Sequence, residues 1–212
     1  MVSSAPLENP KIGNILSKLA EYSKVRGIRQ ILNYDPSWPR NERLGNLLDN
    51  PNWEDGFSKL HDFSLSFDLQ LNPHQYKKAA NLIEKFSETT VIIDHLGTPR
   101  LEDLIDRNEQ YWDGMVTLAS CENVFIKISM LCYIHKDWGN NNIVKDTVYR
   151  IIDTFGIDRC FFASNFPVDI RDEWPAERLY RTFLKLVDKK YSSSDIKKLF
   201  SENAKRAYRS IQ

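Results

Sequence analysis

The chain has 212 residues, of which 42% are hydrophobic and 12% aromatic, so it can bury one substantial core and lacks the composition of a disordered segment. Lys plus Arg and Asp plus Glu both number 29, and this balance gives no indication of nucleic acid, an anionic membrane or a polyanionic substrate. We therefore expect a small-molecule substrate or a protein partner, with no nucleic acid and no membrane.

Helical and strand-like patterns alternate along the chain. Apolar residues at helical spacing predict helices over residues 12 to 25, 52 to 63, 142 to 155, 176 to 188 and 194 to 209, with two more after residue 72 and near residue 115. Predicted strands begin near residues 27, 65, 90, 124 and 159, and their spacing of about 25 to 38 residues is that of βα units. Residues 34 to 51 are predicted to form a loop after a strand. The pattern indicates parallel α/β architecture in a single domain.

The three cysteines and the first residues of the chain indicate the cellular compartment. Three is an odd number and no C-x-x-C spacing occurs, which fits neither a disulfide framework nor a zinc ribbon. The first residues do not combine a basic segment with an apolar one, and no apolar run approaches the roughly 18 residues of a membrane span. We expect a soluble, cytoplasmic protein with buried thiols.

Polar residues gather near the carboxyl ends of the predicted strands. A doubly wound open sheet would instead show continuous apolar strands, because both of its faces are buried. In a closed barrel such polar groups converge on one mouth, which favours a barrel of the TIM type. Five predicted strands are fewer than the eight of a complete barrel. The polar residues near the ends of four of the predicted strands are Asp68 and Gln70, Asp94 and His95, Lys127 and Ser129, and Ser164 and Asn165.

Five segments in order carry a resemblance to a known family. They are RGIRQIL at 26 to 32, SFDLQL at 66 to 71, VIIDHLGTPR at 91 to 100, NVFIKIS at 123 to 129 and FGIDRCFFASNFPVD at 155 to 169, followed by ENAKRAY at 202 to 208. Together they resemble the amidohydrolase-related family, whose relatives include sugar-acid lactonases and 2-pyrone-4,6-dicarboxylate lactonase. The resemblance implies an incomplete (β/α)₈ barrel whose strands correspond to the family's strands four to eight, in one domain that lacks the first three βα units.

The sequence departs from the family pattern at two places. Its four histidines include no H-x-H pair, the pair that supplies metal ligands in metal-using members or polarises the substrate in metal-free lactonases. At the family's strand-eight acidic position stands Asn165, an amide that can hydrogen-bond a substrate or water but cannot act as a general base. Zinc remains possible for the family, and we expect no metal ligands here.

The candidate site residues come from the strand ends. His95 is predicted to stand at the mouth as a catalytic residue, by polarising a carbonyl or by ligating a metal. By strand alternation Asp94 should point the other way, so we expect it to have a structural or supporting role. Asn165 is the second catalytic candidate, with a turn-forming role as its alternative. Substrate binding is predicted for three further residues, Arg29, Gln70 and Lys127. For Lys127 and Arg29 an internal ion pair is the alternative, and Arg100 could also hold a carboxylate.

Two kinds of function remain open. The first is a lactonase-type or amidohydrolase-type hydrolase of a small cyclic carbonyl compound, such as a sugar-acid or dicarboxylate lactone, with His95 on the carbonyl and Arg29 or Lys127 on a carboxylate. The second is an inactive truncated remnant, or a subunit that another chain completes. Because an incomplete barrel leaves two unpaired sheet edges, we also expect a homo-oligomer or an aggregation-prone protein.

Overall fold

The computed structural model describes residues 1 to 209 and contains one sheet of six parallel strands that pair in sequence order. The strands are β1 (Val2–Ser4), β2 (Gly27–Ile31), β3 (Ser66–Gln70), β4 (Val91–Ile93), β5 (Val124–Ile128) and β6 (Cys160–Phe162). Each pair is connected through helical segments, as parallel strands require. The architecture is the α/β arrangement that the sequence predicts, and β1 and β6 are its two edges.

The connecting helices follow the predicted order. They are α1 (Ile12–Ala20), α2 (Pro39–Leu44), α3 (Pro51–Ser58), α4 (Tyr76–Lys85), α5 (Leu101–Ile105), α6 (Asn108–Ser120), α7 (Leu131–Ile134), α8 (Asn142–Phe155), α9 (Val168–Arg171), α10 (Ala176–Val187), α11 (Ser193–Lys197) and α12 (Asn203–Ala207), with a π-helical turn at Lys198–Glu202 between the last two. Helix α8 begins where the Asn141 side chain accepts from the Val144 N–H, and it ends at Gly156, whose φ is 77°.

Strand register separates two faces of the sheet. On the inner face, Arg29 of β2 lies opposite Asp68 of β3 in the strand register, and Asp68 lies opposite Ile92 of β4. Lys127 of β5 likewise lies opposite Phe161 of β6. The alternate residues point to the outer face, which the helices cover. There Phe67 is fully buried, and its ring lies 5.3 Å from that of Phe57 on α3. The main hydrophobic core therefore lies between the sheet and its helices.

The inner face has only a small apolar patch. Ile92 and Phe161 pack there against Ala207 of α12, with Phe125 and Tyr208 at the margin. The end of the chain therefore covers part of the inner face, while the charged side chains described below occupy the rest.

Two elements differ from the sequence-based prediction. Strand β1 adds a sixth strand to the five predicted, because three residues, two of them serine, are too few to show a strand period. The segment 34 to 51 is also more ordered than a loop, since Pro39 occupies the first turn of α2 and Pro51 that of α3. In the part of the chain that the structure covers, no helix combines the length and apolarity needed to cross a bilayer.

Candidate active site

Four charged side chains meet on the inner face, and we call them the ion network: Arg29, Asp68, Asp94 and Lys127. Lys127 contacts both carboxylates, with its Nζ 2.8 Å from Asp94 Oδ1 and also bonded to Asp68 Oδ2. Arg29 Nε lies 3.1 Å from Asp94 Oδ2. The contacts of Asp94 are ion pairs by distance and lack hydrogen-bond geometry. Two cations thus balance two carboxylates.

Burial makes this pairing necessary. The side chains of Asp68 and Asp94 are 2% and 1% exposed, and a carboxylate without a partner is costly at such depth. Burial raises the pKa of Asp68 to about 6, although Lys127 opposes that rise. Burial also acts to lower the pKa of Lys127, but Asp94 and Asp68 outweigh it and the net direction is upward. Lys127 is therefore a charged side chain whose role is to neutralise the two buried carboxylates.

A strained turn after β4 positions His95. His95 and Leu96 have φ values of 57° and 52°, in the left-handed region that residues other than glycine rarely adopt. Two buried tyrosines hold the turn: Tyr111 OH donates to Leu96 O at 3.0 Å, and Tyr76 OH donates to Gly97 O at 2.9 Å. Gly97 has a φ of 82°, and a Cβ there would come within 2.2 Å of Tyr76 Oη. The two tyrosines and the glycine thus hold the backbone of residues 95 to 97 in one conformation.

His95 is buried and in contact with two polar partners. Its Nδ1 lies 2.8 Å from Ser129 Oγ, and its Nε2 lies 3.5 Å from Arg29 Nη2. Burial, aided by the charges of Arg29 and Lys127, lowers the pKa of His95 to about 4, against an opposing effect of Asp94. The imidazole is therefore neutral near pH 7. A neutral ring can donate one N–H and accept at its other nitrogen, and the Ser129 hydroxyl can support either tautomer.

Asp94 belongs to the ion network rather than to the opposite face. Strand alternation predicts that Asp94 and His95 point to different sides. In the structure the Asp94 side chain points to the inner face, as that of Ile92 does two residues earlier. There it forms ion pairs with Arg29 and Lys127. The left-handed φ of His95 then interrupts the alternation, so both side chains reach the same partner, Arg29.

A cleft of about 370 Å³ opens at the carboxyl ends of β2 and β3. Polar side chains make up most of its lining, which includes Asn33, Gln70, Asn72, Thr98, Arg100 and Tyr133. Gln70 connects the cleft to the ion network, because its Oε1 accepts from Arg29 Nη2. Asn33 Oδ1 is buried and has no hydrogen-bond partner among the described residues. Chemically, the cleft suits a small polar molecule with hydroxyl or carboxylate groups.

The predicted site residues fall into two groups. Arg29, Gln70, Lys127 and His95 are linked through direct contacts of their side chains or through Asp94. Lys127 takes the internal ion pair that was one of its two alternatives. Asn165 stands apart: its N–H donates to Asp169 Oδ2, and its carbonyl accepts from Val168 N, so its backbone forms a turn after β6.

Other residues of the site escaped the sequence reasoning. Ser129 supports His95, Asp94 pairs with Arg29, and Tyr208 OH lies 2.9 Å from both oxygens of Asp68. Ser129 stood among the strand-end polar residues without a role of its own. Tyr208 is 140 residues from Asp68 in the chain, and no local pattern marks that contact.

The donors do not fit a divalent metal. Within residues 1 to 209 no three His, Cys, Asp or Glu side chains come together as a possible metal site. His95 uses Nδ1 for Ser129, and its Nε2 faces the guanidinium of Arg29. The carboxylate of Asp94 already has Arg29 and Lys127 as cations. A divalent cation, the third positive group at this carboxylate, would be repelled by these two, and we assign no metal to these residues.

Two known proteins resemble most of the chain. A protein of Sinorhizobium fredii described as uncharacterized protein y4mH is 33% identical over 213 residues, which cover 99% of this chain and 69% of that protein. L-fucono-1,5-lactonase of Burkholderia ambifaria is 26% identical over 155 residues, or 72% of this chain and 50% of the lactonase. The chain thus spans about half of one of these relatives and about two thirds of the other.

Solved structures share the fold. An amidohydrolase from Burkholderia multivorans with bound zinc superposes with a TM-score of 0.82 at 20% identity, over 98% of this chain and 72% of that one. A protein from Pseudomonas putida assigned as a 2-pyrone-4,6-dicarboxylic acid hydrolase gives 0.75 at 15% identity, over 100% and 72%. The family description "Amidohydrolase" matches residues 2–210. With this match and the 33% identical relative, the chain belongs to the amidohydrolase family.

Proposed function

We propose that this site binds and hydrolyses a small lactone, a cyclic ester with hydroxyl or carboxylate substituents. One observation carries the proposal: a buried, neutral His95 has its Nε2 3.5 Å from Arg29 Nη2, and Arg29 donates to Gln70 in the lining of the polar cleft. The lactonase relative and the dicarboxylic acid hydrolase with the same fold support this substrate class.

Arg29 and His95 are the pair that would polarise the lactone carbonyl. A carbonyl oxygen placed between Nη2 and Nε2 can accept from both, provided that His95 carries its proton on Nε2. The Ser129 hydroxyl then donates to Nδ1 and stabilises that tautomer. The water oxygen forms a bond to the carbonyl carbon, the ring C–O bond breaks, and the proton that the water loses passes through solvent water to the leaving ring oxygen. Negative charge grows on the carbonyl oxygen as the water attacks, and a guanidinium and a neutral N–H fixed beforehand stabilise it without reorganisation.

The remaining groups of the cleft would bind the substrate. Arg100 lines the cleft and forms no salt bridge among residues 1 to 209, which leaves its guanidinium for a substrate carboxylate. Asn33 offers its unpartnered oxygen to a substrate hydroxyl. Asn165 has no part in this proposal, because its contacts among the described residues are the turn bonds to Asp169 and Val168 after β6. Lys127 supports Asp94 and does not touch the substrate in this proposal.

The test combines turnover and binding. The full chain is assayed against sugar-acid lactones and 2-pyrone-4,6-dicarboxylate, and a nonreactive cyclic ether of similar shape measures binding. His95→Ala should lower kcat/KM by about 100-fold or more, as loss of an oxyanion donor does. The matched control is His61→Ala, at an exposed position far from the network, and it should keep full activity. No hydrolysis of any lactone by the wild-type chain would overturn the proposal.

Binding without turnover would favour the alternative of an inactive or partner-completed subunit. One observation supports a partner: β1 and β6 are both sheet edges, and no pairing joins them within the described part of the chain. Unpaired edges bind other chains readily. We propose self-association through these edges, so light scattering after size-exclusion chromatography should give a mass above 24.8 kDa. A strictly monomeric species at high concentration would contradict self-association.

A further inference from the structure

The segment ENAKRAY at 202 to 208 has no role in the proposed chemistry, yet it is fixed to the sheet. Asn203 Nδ2 donates to Ile157 O at 2.7 Å and to Cys160 O at 2.8 Å, at the start of β6. Asn203 is 1% exposed, so both bonds are shielded from water. These two bonds of Asn203 hold the end of the chain next to β6.

Beyond Asn203 the chain enters the inner face. Ala207 packs on Ile92 and Phe161. The ring of Tyr208 meets that of Phe161 edge to face, with centroids 6.2 Å apart. The apolar contacts hold the ring, and its hydroxyl extends toward the ion network.

Tyr208 contacts two members of the network. Its OH lies 2.9 Å from each oxygen of Asp68, and Lys127 Nζ lies 5.3 Å from the centre of its ring. Burial, followed by the charges of Asp68 and Asp94, raises the pKa of Tyr208, so its hydroxyl stays protonated and donates. Asp68 thus has two donors, Tyr208 from the end of the chain and Lys127 from β5.

We infer that Tyr208 is a positioning residue for the mouth, because it holds Asp68, which holds Lys127 against Asp94 and so keeps Arg29 beside His95. The inference rests on the proposed function for its catalytic consequence. Each link is a direct contact: Tyr208 with Asp68, Lys127 with both carboxylates, and Arg29 Nε with Asp94 at 3.1 Å.

The charges that face Asp68 decide what loss of the hydroxyl does. Lys127 comes from β5, Asp94 from the turn after β4, Arg29 from β2 and Tyr208 from the end of the chain. Among residues 1 to 209, only Lys127 and Tyr208 donate to Asp68 directly. Without the hydroxyl the carboxylate is less stable, so Asp68 takes up a proton at higher pH. A protonated Asp68 releases Lys127, which then competes with Arg29 for Asp94.

The experiment compares Tyr208→Phe with two matched tyrosine variants. Tyr208→Phe keeps the ring and removes one hydroxyl. Tyr149→Phe also removes one hydrogen bond, from its OH to Leu186 O at 2.8 Å, but outside the network. Tyr191→Phe removes a buried hydroxyl that has no partner within residues 1 to 209.

The first readout needs no activity. Carbon-13 NMR of the Asp68 carboxyl should show its titration midpoint shifted upward by roughly half to one pH unit in Tyr208→Phe, the size expected for one lost hydrogen bond. The midpoint should stay unchanged in Tyr149→Phe and Tyr191→Phe. In an Asp68→Asn background the Tyr208→Phe change should have no further effect on the His95 ring shifts. An unchanged Asp68 midpoint would overturn the inference.

The second readout is kinetic. At pH 6, Tyr208→Phe should lower kcat/KM about fivefold, mainly through kcat because Arg29 acts on the charge that develops in the transition state, and the loss should shrink above pH 8. Equal losses in Tyr208→Phe and Tyr149→Phe would show a merely structural role and contradict the inference. If the wild-type chain hydrolyses no lactone, the proposed function fails, while the NMR midpoint still tests the positioning role.

Discussion

The two faces of the sheet are built from alternate residues of the same strands, yet different forces stabilise them. The outer face of β5 presents Ile126, which is fully buried in the main core. The inner face presents Lys127, the next residue, paired with two carboxylates. Burial of apolar surface is non-directional and tolerates small changes of shape. Ion pairs at the same depth depend on every partner.

This contrast indicates where stability and chemistry separate. Removal of apolar volume from the outer face should weaken the fold and leave the site's electrostatics intact. Removal of one charge from the inner face should affect both, because it leaves another charge without its partner. The predictions below test this difference, from the largest expected effect to the smallest.

The largest effect is expected for Lys127→Met, which removes the cation shared by Asp68 and Asp94. The free energy of unfolding should fall by about 3 to 5 kcal/mol, since two buried carboxylates lose their partner. Urea unfolding measures the change. Lys59→Met is the control, because Lys59 pairs with the exposed Asp55 on the protein surface, and its loss should cost less than about 1 kcal/mol. Similar costs at both sites would contradict the role of the network.

The next effect depends on pH and follows from His95. An unfolded histidine binds a proton below about pH 6.5, whereas His95 in the folded chain does so only below about 4. Stability contributed by the neutral ring is therefore lost as the pH falls through that window. In His95→Gln this loss is absent, so the variant should gain roughly 2 to 3 kcal/mol relative to wild type between pH 7 and pH 4.5.

Urea unfolding of both proteins across this range measures the difference. Asp68 acts in the opposite direction, since its raised pKa means that stability falls as the pH rises from about 4 to about 6. This contribution is present in both proteins and cancels in the comparison. A variant whose stability stays parallel to wild type at every pH would show that His95 titrates normally.

The smallest effect is expected on the outer face. Ile126→Val removes one buried methylene and should cost about 0.5 to 1.5 kcal/mol. Because the Ile126 side chain packs in the main core on the outer face, the pH dependence of stability and the lactone kcat/KM should match wild type. Thermal unfolding and the lactone assay check both points. A changed pH profile would show that the faces are not independent.

The sequence predicts most of the fold for clear physical reasons. Strands β2 to β6 begin within a residue or so of the predicted positions, because period-two patterns and βα spacing are strong signals. Strand β1 is recognisable only through its pairing, in which Ser4 lies opposite Arg29. Three residues contain too little periodicity to indicate a strand by themselves.

The site is less predictable than the fold. Residue type, strand position and, for His95, the family resemblance selected His95, Arg29, Gln70 and Lys127. The structure links these side chains directly or through Asp94, and their catalytic and binding roles stay predictions. The prediction that Asp94 and His95 point to different sides was wrong. Strand alternation ends at His95, whose φ is positive, and a sequence pattern does not reveal that change of φ. Contacts such as Tyr208 with Asp68 arise only when distant segments meet.

The central claim is that His95 is a neutral side chain fixed between Ser129 and Arg29. Nitrogen-15 NMR of the imidazole, followed from pH 8 down to pH 5, tests it most directly. We predict that the ring nitrogens of His95 do not titrate in this range. A His95 midpoint near 6.5 would contradict the account.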